Sequence, residues 1–231
     1  MIKKILIPVI AGVGFIVISD RALALEIDYK HKYEDISRQH TDEFIVSHNF
    51  SSGLGVSAKL KFHPEQQSNG DAGNFFDHRK LNEKEFKIKY TQPFTKQLSI
   101  EPGMVYGIKE EDKKYKPSIK LKYRISDNTR ISFRYRKEIT DRRNKPIKKT
   151  DRIDSEITQK VENFQFSYTM IWYNSNETLY NNKHQNIEHK IEAGYQLTKH
   201  LVPYIGVKNL AVSKKSADRQ TEFITGISYK F

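Results

Sequence analysis

Apolar and polar residues alternate strictly in runs of about 10 residues along most of the chain after residue 24. Phe86, Ile88 and Tyr90 would lie on one face of such a strand. Lys87 and Lys89 would lie on the other. A period of two is typical of β-strands with one apolar face, and no helical period of useful length accompanies it. The pattern predicts an all-β chain with strands at 25–36, 41–50, 54–63, 83–92, 97–109, 115–124, 130–139, 159–172, 185–196, 201–210 and 220–231.

The connections between these strands alternate between short and long. Short turns are expected at 51–53, 92–96, 126–128 and 198–200. Long polar stretches lie at 64–82, 140–157 and 211–219. Short turns at one end of a sheet and long loops at the other are typical of transmembrane β-barrels, with periplasmic turns and extracellular loops. We therefore predict a transmembrane antiparallel β-barrel.

The strand count must be even if both termini are periplasmic, and the pattern gives eleven. The strand ending near Trp172 and the one starting at Gln185 would run in the same direction, so one strand is missing between them. Residues 177–183 are the candidate, which predicts 12 strands with a short, weak ninth. Lys or Arg on the lipid face costs about 2–4 kcal/mol at mid-membrane. The charged faces must therefore line the lumen.

Three prolines, Pro102, Pro117 and Pro203, fall inside predicted strands. Proline lacks the N–H that a strand donates to its neighbour, so each is expected to mark a local break or bulge.

The first 24 residues have the features of an export signal. Lys3 and Lys4 precede an apolar run at 5–18, which is too short to span a bilayer as a lasting anchor. Small residues at Ala22 and Ala24 favour cleavage after Ala24. We therefore expect a signal peptide at 1–24 and an outer-membrane barrel at 25–231.

The whole chain contains 40 Lys+Arg and 28 Asp+Glu, a formal net charge of +12. Taken alone, this excess suggests a soluble protein that binds nucleic acid. An exported protein does not meet nucleic acid in the cytosol, so the charge needs a different anionic partner. Cysteine is absent, which excludes disulfide and thiolate chemistry.

The inward faces of four predicted strands carry ten cations opposed by Glu85 and Glu138. These candidate substrate-binding residues are Lys59, Lys61, Lys87, Lys89, Lys116, Lys120, Lys122, Arg124, Arg134 and Arg136. A basic lumen raises the local concentration of anions, and rings of Lys or Arg are common in anion pores. Arg134 and Arg136 could each present a forked donor to a carboxylate. The alternative is that the lumen charges pair with one another and fill or plug the barrel.

The middle of the chain resembles the oligogalacturonate-specific porin family, whose relatives include the N-acetylneuraminate (sialic acid) channel. The residues that carry the resemblance are Pro102-Gly103-Met104, Tyr115, Pro117, Lys120-Leu121 and Arg134-Tyr135-Arg136, followed by 203–205 and 226–231 near the end. The resemblance implies a monomeric 12-stranded barrel for the passive uptake of acidic oligosaccharides, with sialic acid as the alternative solute. One departure is Glu101, which stands where the family has Arg.

Other functions have weaker support. The eight histidines show no metal-ligand spacing, and we expect no metal, no cofactor and no catalytic residue. A barrel lipase would need an outward Ser–His pair, and neither His48 nor His189 has a serine at matching depth. A structural or adhesive barrel acting through its long loops stays open. The basic stretch 141–152 is expected to meet lipopolysaccharide, to gather acidic solute, or to be solvated.

Overall fold

The structure is a computed structural model that describes residues 25–67 and 71–231, so the predicted signal peptide lies outside it. Twelve long strands occur in this part of the chain. They are β1 (Leu25–Glu34), β2 (His40–Asn49), β3 (Leu54–Pro64), β4 (Arg79–Tyr90), β5 (Leu98–Lys109), β6 (Asp112–Arg124), β7 (Thr129–Arg142), β8 (Lys145–Val161), β9 (Phe164–Ser175), β10 (Gln185–Tyr195), β11 (Leu201–Ala211) and β12 (Arg219–Lys230). A two-residue strand, Gln92–Pro93, also pairs with β5.

Every long strand is antiparallel to its neighbours in sequence, and β1 also pairs with β12. The register Glu26↔Lys230 starts that closing ladder. The strands therefore form a closed 12-stranded antiparallel barrel, as predicted. Closure leaves no unpaired sheet edge. No helix long and apolar enough to cross a bilayer occurs among the described residues.

The two faces of the barrel have opposite polarity. Large apolar side chains cover the outside, and Phe86 (55%) and Phe133 (51%) are among the most exposed. Buried side chains are mostly polar, as Glu43, Glu83 and Glu101 show. This inversion of a soluble core follows from the alternation, because apolar residues face lipid and charged residues face the lumen.

The two ends of the barrel differ in their connections. We call the end that holds Leu25 and Phe231 the turn end and the opposite end the loop end. The turn end carries the connections 50–53, 91–97, 125–128, 162–163 and 196–200. The loop end carries 35–39, 65–78, 110–111, 143–144, 176–184 and 212–218. Two loop-end connections are thus tight, and each contains a residue with positive φ, Glu110 (52°) or Asn144 (56°).

The predicted number of strands is confirmed, but one strand was placed wrongly. The predicted ninth strand at 177–183 is wrong, because these residues belong to a loop-end connection with one isolated bridge, Tyr180↔Lys183. The additional strand is β8, which occupies most of the stretch 140–157 that was predicted to be a loop. The predicted strand 159–172 wrongly joined the end of β8 to β9 across a turn at Glu162 (φ 52°).

The length of the β7–β8 hairpin explains this error. β7 has 14 residues and β8 has 17, whereas about 9–11 residues cross a bilayer. The loop-end part of the hairpin therefore extends beyond the membrane, where its outer face can be polar. There, Lys137 Nζ lies 2.8 Å from Asp151 Oδ1, and the Tyr135 hydroxyl donates to Asp151 at 2.6 Å. The apolar alternation that identifies a membrane strand is absent from this segment.

The three strand prolines stand where pairing with one neighbour stops. The β4–β5 ladder ends at Gly103, next to Pro102, and the β10–β11 ladder ends at Tyr204, next to Pro203. The β6–β7 ladder is interrupted at Pro117. A missing N–H is tolerated at these places because no ladder bond is lost.

Candidate functional site

The middle of the lumen is a cavity of about 620 Å³ with an excess of positive charge. Among the described residues, twelve cations and six carboxylates line it. The cations are Lys30, Lys32, Lys59, Lys61, Lys87, Lys114, Lys116, Lys190, Lys208, Arg134, Arg136 and Arg152. The carboxylates are Glu43, Glu83, Glu85, Glu138, Glu192 and Glu222. The formal charge of this central cavity is therefore +6.

Nine of the ten candidate cations from the sequence lie together. Those that line the central cavity are Lys59, Lys61, Lys87, Lys116, Arg134 and Arg136. Lys89, Lys120 and Lys122 continue the same inward faces of β4 and β6 toward the turn end. Arg124 is separate, because it is exposed at the turn-end rim in register with Arg130. The role of these residues in substrate binding stays a prediction.

Most of these cations are paired, which the sequence did not reveal. Glu83 accepts from Lys114 at 2.7 Å and lies 3.4 Å from Lys61. Glu85 lies 2.5 Å from Lys59 and also binds Lys116. The sequence analysis opposed only two carboxylates to the ten cations. Carboxylates on the inward faces of neighbouring strands compensate much of that charge.

Small residues on β5 allow these pairs to form across an intervening strand. Lys114 lies on β6 and Glu83 on β4, with β5 between them. The inward residue of β5 at this level is Gly107, which is in register with Lys114. A Cβ atom at Gly107 would lie 3.5 Å from Glu83 Oε1. A larger side chain there would therefore occupy the space in which the ion pair forms.

Glu101 binds two of the candidate cations. Its carboxylate lies 3.3 Å from Lys89 Nζ, contacts Lys122 and accepts from the Thr91 hydroxyl at 3.1 Å. Glu101 is only 6% exposed. Glu101, which stands where the family has Arg, thus neutralises part of the positive charge at this level of the lumen.

Asp154 forms a second cluster. Arg134 Nε donates to it at 2.7 Å, and Arg152 donates to its other oxygen at 2.7 Å. Asp154 and Arg152 are not among the predicted lumen residues, because the sequence pattern predicts a loop where β8 lies. The alternation of Ile153 and Ile157 with charged neighbours was the available signal.

In the Glu83 and Asp154 clusters the cations are more exposed to the lumen than the carboxylates that bind them. The side chain of Glu83 is 5% exposed and that of Asp154 is 7% exposed. Lys61 and Arg134 are each 23% exposed. Shorter acidic side chains therefore lie against the barrel wall beneath the longer basic ones. At these two clusters a solute in the lumen meets Lys and Arg first.

Two central cations keep unused capacity for an anion. No carboxylate lies within ion-pair distance of Lys87 in the described part of the chain. Arg136 makes only one ion-pair contact among the described residues, a long one of 3.4 Å from Nη1 to Glu138. Unlike most of their neighbours, Lys87 and Arg136 can accept an anion without losing an existing strong pair.

One cavity at the turn end of the lumen is balanced in charge. This cavity of about 450 Å³ has, within the described residues, four cations and four carboxylates. They are Lys30, Lys160, Lys199, Lys230, Glu26, Asp28, Glu162 and Glu192. Tyr204 also lines this cavity, and its hydroxyl donates to Asp28 at 2.8 Å. The Tyr204 ring lies against Gly226, where a Cβ atom would approach the ring to 2.3 Å.

The two histidines that were considered for catalysis make aromatic contacts. His189 shares a 2.9 Å hydrogen bond with the Tyr168 hydroxyl, and the ring of His48 meets Phe50 edge-on at 4.3 Å. Across 25–67 and 71–231, no group of three or more His, Asp or Glu is arranged to hold a metal ion.

Residues 18–231 match the family of oligogalacturonate-specific porin proteins (KdgM). The chain belongs to this family. KdgM of Dickeya dadantii (strain 3937) is 27% identical over 227 residues, which cover 93% of this chain and 94% of the relative. The family predicted from the middle of the chain is thereby confirmed.

Solved porin structures show the same fold. A KdgM porin superposes with a TM-score of 0.69 at 21% identity, covering 89% of this chain and 99% of that one. A NanC porin superposes with a TM-score of 0.77 at 19% identity, covering 89% and 100%. These superpositions show the fold of outer-membrane β-barrel porins. Its family membership makes the protein an outer-membrane porin, a channel protein rather than an enzyme.

Proposed function

We propose that this porin is selective for anions and takes up acidic oligosaccharides passively, with oligogalacturonate as the first candidate. Twelve cations against six carboxylates in the central cavity are the observation that carries the proposal. A basic lumen between low-dielectric walls concentrates anions and repels cations. The exposed position of the Lys and Arg tips places this excess where the solute passes.

The arrangement of the cations suits a solute with repeated carboxylates. Conduction requires several weak sites, because one tight site would trap the solute. Most lumen cations already hold a carboxylate of the chain, so a passing carboxylate exchanges with an internal one. Lys87 and Arg136 offer stronger attachment at mid-lumen, and Lys89, Lys120 and Lys122 follow toward the turn end. An oligomer of galacturonate could occupy neighbouring positions in turn.

The relatives support this choice of solute. The curated relative is named an oligogalacturonate-specific porin, and one KdgM structure is a complex with disordered oligogalacturonate. Sialic acid is the second candidate within the same proposal, since its carboxylate suits the same cations. We also propose that residues 1–24 are removed as a signal peptide and that the mature barrel is a monomer in outer-membrane lipid and lipopolysaccharide.

Growth of a porin-deficient host tests the solute directly. The host needs the inner-membrane uptake and catabolism of both oligogalacturonate and sialic acid, with this protein as its route across the outer membrane. We expect growth on oligogalacturonate at a limiting concentration and slower growth on sialic acid. A neutral oligosaccharide of the same length is the control for pore size. Equal uptake of the neutral and acidic oligomers would contradict the proposal.

A further inference from the structure

The loop end of the lumen contains a second group of cations, which shares Lys114 and Lys116 with the central cavity. A cavity of about 610 Å³ opens there, and six cations and three carboxylates of the described chain line it. Its cations are Lys109, Lys114, Lys116, Arg142, Lys148 and Lys214. Arg142 ends β7, and Lys214 lies in the connection between β11 and β12. These two residues come from distant parts of the sequence to one side of the mouth.

Arg142 and Lys214 share one carboxylate, that of Glu177 in the connection between β9 and β10. Arg142 Nη1 donates to Glu177 Oε2 at 3.2 Å, and Arg142 Nη2 donates to Oε1. Lys214 Nζ lies 3.8 Å from Oε2. A guanidinium that holds both oxygens of a carboxylate, with a lysine beside it, is the arrangement expected of a site for an anionic sugar.

The loop that carries Glu177 is fixed on both sides of the mouth. At its start, Asn176 exchanges backbone and side-chain hydrogen bonds with Lys149 on β8, including a 2.8 Å bond. At its tip, Asn182 N donates to the Lys214 carbonyl at 2.9 Å, and Tyr180 donates to Ala217. Glu177 itself can therefore leave Arg142 by a side-chain rotation while the loop stays anchored.

The ion pair is accessible and can be exchanged. The side chains of Glu177 and Lys214 are 26% and 60% exposed, and that of Arg142, which lies deeper, is 16% exposed. The hydrogen bonds from Arg142 hold the pKa of Glu177 below its ordinary value, so Glu177 is charged at neutral pH. Exposed ion pairs contribute little net free energy, and an external carboxylate can replace an internal one at small cost. Arg142 Nε is buried and has no hydrogen-bond partner in the described residues, so the two terminal nitrogens of Arg142 are the ones that an external carboxylate would bind.

We propose that Arg142 and Lys214 form a mouth site for a carboxylate of an acidic saccharide, and that Glu177 is its internal competitor. The proposal rests on the function proposed above and adds a first binding step at the loop end. An arriving sugar carboxylate takes the place of the Glu177 carboxylate on Arg142. Glu177 lowers the affinity of the mouth site, which limits trapping of the solute before it reaches the central cavity.

Single-channel block by trigalacturonate tests the mouth site. The purified porin is inserted in a planar bilayer, and trigalacturonate is added to each chamber in turn. We expect Glu177→Gln to lower the half-blocking concentration roughly two- to fivefold from the loop end and to leave it unchanged from the turn end. Arg142→Gln should raise it, and Glu177→Gln should have little further effect in the Arg142→Gln background.

A matched control separates a specific site from a general change of charge. Glu111 pairs with Arg143 at 2.7 Å in neighbouring loop-end connections, and Arg143 does not line the mouth cavity. Glu111→Gln removes the same charge on the same side of the membrane. The difference in SDS–PAGE migration between heated and unheated samples confirms that each variant is folded.

The outcomes distinguish this inference from the function on which it rests. If Glu177→Gln and Glu111→Gln have equal effects, or if Glu177→Gln weakens block, the mouth site is wrong while the proposed function stands. If the wild-type pore is cation-selective and trigalacturonate blocks it from neither side, both proposals are wrong.

Discussion

The middle and the turn end of the lumen are built from the same residue types but carry different charges. The central cavity has twelve cations and six carboxylates in the described chain, whereas the turn-end cavity has four of each. Under the proposed function, an acidic solute meets its strongest attraction at mid-lumen and then a turn-end cavity without excess charge. The net charge of the sequence cannot show this difference, because it sums over both regions. Under the proposed function, the basic centre binds the acidic solute and the cavity without excess charge favours its release.

The largest effect should come from removing cations in the centre. We expect the triple variant Lys87→Gln, Arg134→Gln, Arg136→Gln to lower the anion-to-cation permeability ratio on the order of tenfold, because charges in a confined lumen are weakly screened. Reversal potentials in a KCl gradient measure this ratio.

The turn end provides the matched control for that variant. Lys160→Gln, Lys199→Gln and Lys230→Gln together remove the same formal charge, and they should change the ratio by less than about twofold, since wide solvent contact screens them. Equal effects of the two triple variants would show that the location of the charge is unimportant.

A smaller effect of opposite sign should follow from Glu101→Gln. This change releases Lys89 and Lys122 from their shared carboxylate and should raise the anion-to-cation permeability ratio about two- to threefold. Reversal potentials measure this ratio. Glu26→Gln removes a carboxylate at the turn end, where Ser228 donates to Glu26 at 2.7 Å. If Glu26→Gln raised the anion preference as much as Glu101→Gln does, the position of Glu101 beside Lys89 and Lys122 would have no special role.

The smallest expected effect concerns the stability of the turn end. Gly226→Ala places a methyl group against the Tyr204 ring, so we expect it to lower the free energy of unfolding by about 1–3 kcal/mol. At Gly194, which also lines the turn-end cavity, a Cβ atom would have its nearest neighbour at 3.5 Å, an ordinary contact. Urea unfolding in lipid vesicles should leave Gly194→Ala close to wild type. Similar losses for both variants would show that the Tyr204 contact is not the cause.

The barrel could be predicted from the sequence because of one simple rule: the residues of each membrane strand that face lipid must be apolar. Phe86 and Ile88 had to face outward and Lys87 inward, and a closed barrel with both termini at one end requires an even number of strands. That rule does not apply to β8 beyond the membrane, where Lys149 and Asp151 lie on the outer face. The loop-end part of β8 was therefore beyond the reach of the pattern, and only the alternation at Ile153 and Ile157 could have located this strand.

The lumen was harder to predict than the fold. The inward direction of Lys59, Arg134 and their neighbours follows from alternation within one strand. Their partners do not, because Glu83 meets Lys114 across an intervening strand and Asp154 lies on a strand that was not predicted. Ion pairs in a barrel depend on the register between strands, which single-strand periodicity does not contain.

The reversal potential of the wild-type channel tests the central claim most directly. The current through single channels in a planar bilayer, under a tenfold KCl gradient, should reverse at a potential whose sign indicates selectivity for chloride over potassium. Addition of trigalacturonate should then reduce the chloride current, whereas a neutral trisaccharide should have little effect. A reversal potential of the opposite sign would contradict an anion-selective lumen.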